Sequence, residues 1–135
     1  MRISLRMALL GAACAAALLF LGSCASGPVV IPPGLSAAEI FQRAQDASDR
    51  GDYTLAIRYY DIVPTSFPDD ISHVTWASYE IAFLYHKMGK PAQALTLINQ
   101  LLDRYDKEGD KLPPAPRVLA AKLKIRLQDA LQKKQ

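Results

Sequence analysis

The chain has 135 residues, half of them apolar, with 21% charged side chains and a formal charge of +3. That is long enough for one modest domain and too apolar for a disordered segment. Two of the basic residues, Arg2 and Arg6, lie in a leader expected to be removed, and the small excess that remains is not the strong basic patch of a nucleic-acid binder.

Residues 1–6 form a short basic start, and residues 7–22 then run sixteen positions without a charge. This is the layout of a secretory leader. The competing reading, a spanning helix, needs about 20 apolar residues, and this run stops at Gly22 and Ser23 before a stretch rich in glycine and proline. Leu21-Gly22-Ser23-Cys24 resembles the bacterial lipobox, in which the peptide is cut before the cysteine and the cysteine carries the lipid. The resemblance implies a signal peptide over 1–23 and lipidation (thioether diacylglycerol, with palmitate-type acylation of the new amine) at Cys24. Ser23-Cys24-Ala25 also fits the small-x-small site of an ordinary signal peptidase. Cys14 lies inside the apolar run, so neither cysteine is available for a disulfide in the mature fold. Ala25 and Ser26, rather than an aspartate, follow Cys24. By resemblance this sorts the protein to the outer membrane, lipid-anchored, with its domain in the periplasm.

Residues 24–35 hold the lipidated cysteine and an uncharged tether with three prolines and two glycines. Eleven such residues in a polyproline II conformation reach about 34 Å, which keeps the domain near the bilayer. The folded domain is expected over 36–135. Ser36 and Glu39 make a capping box, with Leu35 and Ile40 placed as a hydrophobic staple. A first helix carries Ala37, Ile40, Phe41, Ala44 and Ala47 and stops at Gly51. Asp52 caps a second with Leu55, Ala56, Tyr59, Tyr60 and Val63, which Pro64 is expected to end or kink. A third helix opens at Asp70 or Ser72 and runs to Met88 before Gly89. Pro91 suits the first position of the fourth, which shows Ala94, Leu95, Ile98, Leu101, Leu102 and Tyr105. Residues 106–116 read as a loop with three prolines. A fifth helix from about Arg117 has Leu119, Leu123, Leu127, Ala130 and Leu131 on one stripe. The fold class is all-α, built from antiparallel helix-turn-helix units.

The two helix pairs superimpose in sequence at an offset of 38 residues: Gly51 to Ile57 meets Gly89 to Leu95, Ala44 meets Ala82, and Tyr60 meets Ile98. This resembles the tetratricopeptide repeat (TPR), a helix-turn-helix unit of about 34 residues. Ala44, Ala82, Ala56 and Ala94 match its small positions, Tyr60 and Ile98 its large ones, and Pro68 its closing proline. Asp106 stands where the second unit would have that proline. The stretch 51–70 is similar to the repeat regions of BamD-like and CpoB-like envelope lipoproteins. Two TPR-like units and a C-terminal capping helix follow from the resemblance. That helix is basic, with six Lys and Arg from 117 to 134 against Asp129, whereas 24–116 hold eight basic and twelve acidic residues. It fits a solvated cap with cations at its last turn, or a docking face for an acidic partner or anionic lipid.

No catalytic constellation stands out, so the protein is read as not an enzyme and as needing no cofactor or metal. His73 and His86 lie thirteen residues apart on one helix and hence on different sides of it. Asp69 and Asp70 read as a helix N-cap cluster. The acidic run 103–110 lacks calcium-loop spacing. Trp76, Tyr79, Phe83 and His86 form an aromatic stripe, for which two readings stand. A helix apolar on two faces is usually central core. Alternatively, the repeat resemblance places these residues on the concave groove, with Ala38, Phe41, Gln45 and Ser48 in the first unit and Arg117, Ala121 and Lys124 following on the fifth helix. The resemblance then implies a protein-protein interaction scaffold that holds an envelope protein or peptide, in outer-membrane assembly or maintenance. A small-ligand or lipid-binding lipoprotein serving a transporter is the alternative from a different class.

Overall fold

Short-range signals at the helix ends set the elements. A computed structural model describes residues 32–133; the expected leader, Cys24 and the first part of the tether lie outside the described residues. Five α-helices follow in order among them: α1 (Ala37–Asp49), α2 (Tyr53–Ser66), α3 (Ile71–Lys87), α4 (Pro91–Glu108) and α5 (Pro114–Gln132), with a 3-10 turn at Gly109–Lys111 before α5. The Ser36 hydroxyl accepts from the Glu39 amide at 3.3 Å, and the Glu39 carboxylate accepts from the Ser36 amide at 2.8 Å. Asp52 and Asp70 cap α2 and α3 by accepting from the Leu55 and His73 amides, each at 3.0 Å.

The two units end their first helices in the same way. Gly51 and Gly89 adopt φ of +79° and +71°, where a side chain would be strained. The next residue then donates back across the last turn, Asp52 to the Ala47 carbonyl and Lys90 to the Tyr85 carbonyl, which reverses the chain in a Schellman-type turn. The second helix of each unit can therefore fold back on the first.

Ala44, Ala56, Ala82 and Ala94 have no exposed surface. Their small side chains let α1 approach α2, and α3 approach α4, while Tyr60 and Ile98 fill the space beyond them. Two core clusters result. One gathers Ile40, Ala44, Ala56, Tyr60 and Val63 with Ala77 and Leu84 of α3. The other gathers Tyr79 and Ala82 of α3 with Ala94, Ile98, Leu101 and Tyr105 of α4 and with Ala120, Leu123 and Leu127 of α5. The central helix α3 thus serves both, and α5 closes the open side of the second unit as expected.

Prolines settle one boundary that the sequence left open and move another. Pro64 lies inside α2, which runs on to Ser66. Only one backbone bond is forfeited there, because the Phe67 amide still donates to Val63 at 2.9 Å. The loop expected over 106–116 is shorter, since α4 continues to Glu108 and α5 already starts at Pro114. Arg104 holds the last turn of α4 through two bonds to Glu108, at 2.6 and 3.1 Å. Pro114 and Pro116 occupy the first turn of α5, where an amide would have no helical partner. The Tyr105 hydroxyl donates to the Pro113 carbonyl and pins this connection to α4.

The capping box gives α1 a pH dependence of known sign. The amide and hydroxyl of Ser36 hold the Glu39 carboxyl below its ordinary range, so the stabilisation is present above the unfolded pKa and is lost as pH falls through the folded one. Glu39→Gln should leave the first turn of α1 frayed at neutral pH and remove that acid transition. Amide exchange of residues 37–40 between about pH 2.5 and 7, roughly the carboxylate titration range, checks it; identical profiles in both proteins would refute it.

Candidate functional site

Packing against α2, α4 and α5 leaves one stripe of α3 open with α1 as a wall beside it, apart from a second opening on another side of the helix at Ser78 and Ile81. The stripe is Trp76, Glu80, Phe83 and Lys87, at spacings of four, three and four residues, which is one helical face. Two adjoining depressions lie along it. One of about 350 Å³ is lined by Phe41, Gln45, Ser72, His73, Trp76 and Glu80. The other, of about 300 Å³, is lined by Gln45, Asp49, Tyr60, Glu80, Phe83 and Lys87 among others. They share Gln45 and Glu80 and so make one trough between the first helices of the two units.

Aromatic edges and faces set its walls. Phe41 stands edge-on to Tyr60 at 4.9 Å and to His73 at 5.0 Å. The Lys87 ammonium lies 5.6 Å from the centres of both the Phe83 and Tyr53 rings, so one end of the trough is closed by a cation over aromatic faces. At the other end His73 Nδ1 sits 2.7 Å from Asp70, whose carboxyl is held below its ordinary range by the His73 amide and ring.

Glu80 is the half-buried charge at the centre. Burial pushes its carboxyl above the ordinary range, and Lys87 opposes the shift only in part. Tyr60 shows the same field from beneath: burial first, then the charges of Glu80 and Asp49, push its hydroxyl pKa upward. The middle of the trough is therefore electronegative and partly dry.

Of the expected groove residues, Trp76, Phe83, Phe41 and Gln45 come together here, and Ser48 joins them. Tyr79 and His86 line neither depression. Tyr79 is only 8% exposed, stacked on Phe83 and edge-on to Trp76, with centroids 6.1 Å apart in each case. Its ring belongs to the core shared with α4 and α5. His86 is partly buried with its ring 6.4 Å from Phe83. The stripe therefore splits, with Trp76 and Phe83 in the groove, Tyr79 in the core beneath α5 and His86 in neither. The α5 positions are corrected as well: Arg117 turns to Asp106 at 3.6 Å and over the Tyr105 ring, and neither it, Ala121 nor Lys124 lines the trough. Glu80 and His73 were missed. Both carried a signal in their spacing from Trp76, four residues after it and three before it.

The trough offers flat aromatic surface, amide hydrogen-bonding groups and a central carboxylate, which suits it to hold side chains of a bound polypeptide. Among the described residues, no His, Cys, Asp or Glu cluster could hold a metal ion, and no helix is long and apolar enough to cross a membrane.

Comparison with known proteins bears on this geometry. Residues 76–107 match the family model of the tetratricopeptide repeat, which covers α3 from Trp76 through most of α4. The chain therefore contains such a repeat, within an all-α fold of TPR-like units, and repeats of this kind are typically non-catalytic protein-interaction scaffolds. A protein of Treponema pallidum (strain Nichols), described as uncharacterized, is 34% identical over 99 residues, a match spanning 71% of this chain and 40% of that relative. The chain thus spans less than half the length of that relative. No solved structure matches the chain.

The split of the aromatic stripe separates two substitutions. Tyr79→Ala should lower the unfolding free energy by about 3 kcal/mol, as for other buried aromatic truncations. Trp76→Ala should cost clearly less and leave the far-ultraviolet circular dichroism spectrum unchanged. Urea unfolding of both variants checks this, and equal losses would place Trp76 in the core.

Proposed function

We propose that this protein is a membrane-anchored interaction scaffold of the bacterial cell envelope that holds a partner polypeptide in the trough between α1 and α3. The observation that carries the reading is the trough itself. Trp76 and Phe83 of α3 and Phe41 of α1 line it with aromatic surface, and aromatic side chains supply contact area at low entropic cost. The repeat match supports an interaction role. Both depressions open directly to solvent along a groove, a shape that suits an extended or helical segment.

The anchor rests on the sequence. The basic start, the apolar run and Leu21-Gly22-Ser23-Cys24 support a lipoprotein leader with Cys24 as the modified residue. More than one acyl chain gives stable anchoring without a spanning helix. The tether then confines the domain to the membrane surface, on the periplasmic side of the outer membrane under this reading. The process served is envelope assembly or maintenance, supported by the likeness of 51–70 to the repeats of envelope lipoproteins.

Two experiments test the two halves of the proposal. Replacing Gln45 with a photo-crosslinking amino acid in cells should capture one or a few envelope proteins, and Trp76→Ala combined with Phe83→Ala should abolish that capture with helicity retained. Capture that survives the double substitution would move the interface elsewhere. Separately, growth with an alkyne-tagged palmitate should label the protein, and Cys24→Ser should remove both the label and the membrane fractionation. An unlabelled wild-type protein that is soluble after cell lysis would overturn the anchor.

A further inference from the structure

The trough contains a feature that general apolar recognition does not require: a carboxylate set among rings. Glu80 lies at the junction of the two depressions, shared by both. On one side are Trp76, Phe41 and His73; on the other are Phe83 and Tyr60. Its charged surroundings are mixed but poor in cations. Lys87 is seven residues away on the same helix and is engaged over Phe83 and Tyr53, and His73 is held by Asp70. Asp49 adds a second negative charge from α1. Among the described residues, no hydrogen bond or ion pair satisfies Glu80 in the way that Arg104 satisfies Glu108.

We propose that the depression lined by Phe41, His73, Trp76 and Glu80 is a specificity pocket for one cationic side chain, an arginine in preference to a lysine, presented by the bound polypeptide. A carboxylate in the lining supplies the counter-charge, and aromatic rings beside it offer π surface to a guanidinium. About 350 Å³ is at the lower end of ordinary ligand sites, and is adequate for one long side chain rather than for a whole folded element. Burial disfavours the ionised carboxyl of Glu80, and a cation placed beside it offsets that penalty. A neutral or acidic side chain would leave the charge unpaired and partly desolvated, which is discrimination by an unfavourable alternative. This deepens the scaffold reading and rests on the trough being the partner-binding face.

Trp76 is the only tryptophan of the chain, so its fluorescence reports directly from this pocket. The probes are two capped pentapeptides, glycines flanking either arginine or its neutral isostere citrulline, titrated into the full-length protein. The arginine peptide should shift Trp76 emission saturably, with the citrulline peptide at least about tenfold weaker, as expected for loss of a charge-assisted pair. Glu80→Gln, with unchanged circular dichroism, should erase the difference between the peptides, and a lysine peptide should fall between them. Equal response to arginine and citrulline, or no response to either, overturns the cation pocket. Should Glu80→Gln fail to fold, the peptide comparison on the wild-type protein still decides. The scaffold reading is judged separately by crosslinking from Gln45: capture of a partner together with equal peptide responses would leave the scaffold standing and remove only the cation preference.

Discussion

The central helix α3 is the constraint on which the rest depends, because it is asked to be core on two sides at once. Ala77 and Leu84 face the first unit, while Tyr79 and Ala82 face the second unit and α5. A helix in that position cannot adjust toward one neighbour without opening a gap at the other. Interior voids cost about 24 cal/mol per Å³, so the positions of α1, α2, α4 and α5 are all referred to this one element. The alanines at 44, 56, 82 and 94 make the arrangement possible by letting paired helices approach closely, and a larger side chain at any of them would separate a pair that α3 holds in register with the other.

The same constraint leaves the Trp76 face of α3 open for other work. Core packing would place aliphatic side chains on it if the face were merely an unfinished surface, or lysine and glutamate at solvated spacing if it were simply a solvent face. It instead carries Trp76 and Phe83 with Glu80 between them and Lys87 beyond. Half-buried carboxylates surrounded by rings are destabilising in isolation, and such arrangements cluster at functional sites. The outward side of α5 is different in kind. Val118 and Ile125 are 54% and 61% exposed, but they are set among Lys122, Arg126 and Asp129 in a mixed surface. The trough, by contrast, joins aromatic surface to a concave lining.

The fold was largely legible in the sequence because its determinants are local. Ser36 with Glu39, Asp52, Asp70, Gly51 and Gly89 each act within a few residues, and each was readable from residue type and spacing alone. The repeat offset exposed the alanine positions, since a small residue recurring between large ones has a packing meaning. Prolines misled wherever context decides their effect. Pro64 is tolerated near a helix end where one bond is missing, and Pro114 and Pro116 initiate α5 rather than extending a loop. The site was legible only in part for a related reason. Trp76, Tyr79, Phe83 and His86 do share one broad face, but the angular difference between Tyr79 and Glu80, about 100°, decides which is buried, and that depends on where α5 packs. Spacing along one helix does not contain the position of another helix thirty residues away in the chain. Glu80 was overlooked because a lone glutamate on a helix is ordinarily solvated; its environment comes from Phe41 and Gln45 of α1.

A stack of two units has a short groove, and this shapes how such a protein would act. A segment held along the trough can place only a few side chains in it, and association must first overcome several kcal/mol of lost translational and rotational freedom. One charged anchor and a few aromatic contacts therefore describe weak recognition in free solution. Confinement changes that balance. If Cys24 holds the domain at the bilayer through the few residues before the Pro33-Gly34 turn, a partner at the same surface is encountered at an effective concentration that linkage sets in the millimolar range, and contacts too weak to persist in bulk become sufficient. A small groove, a short tether and a lipid anchor are then parts of one solution, in which the membrane supplies the proximity and the trough supplies the choice of partner.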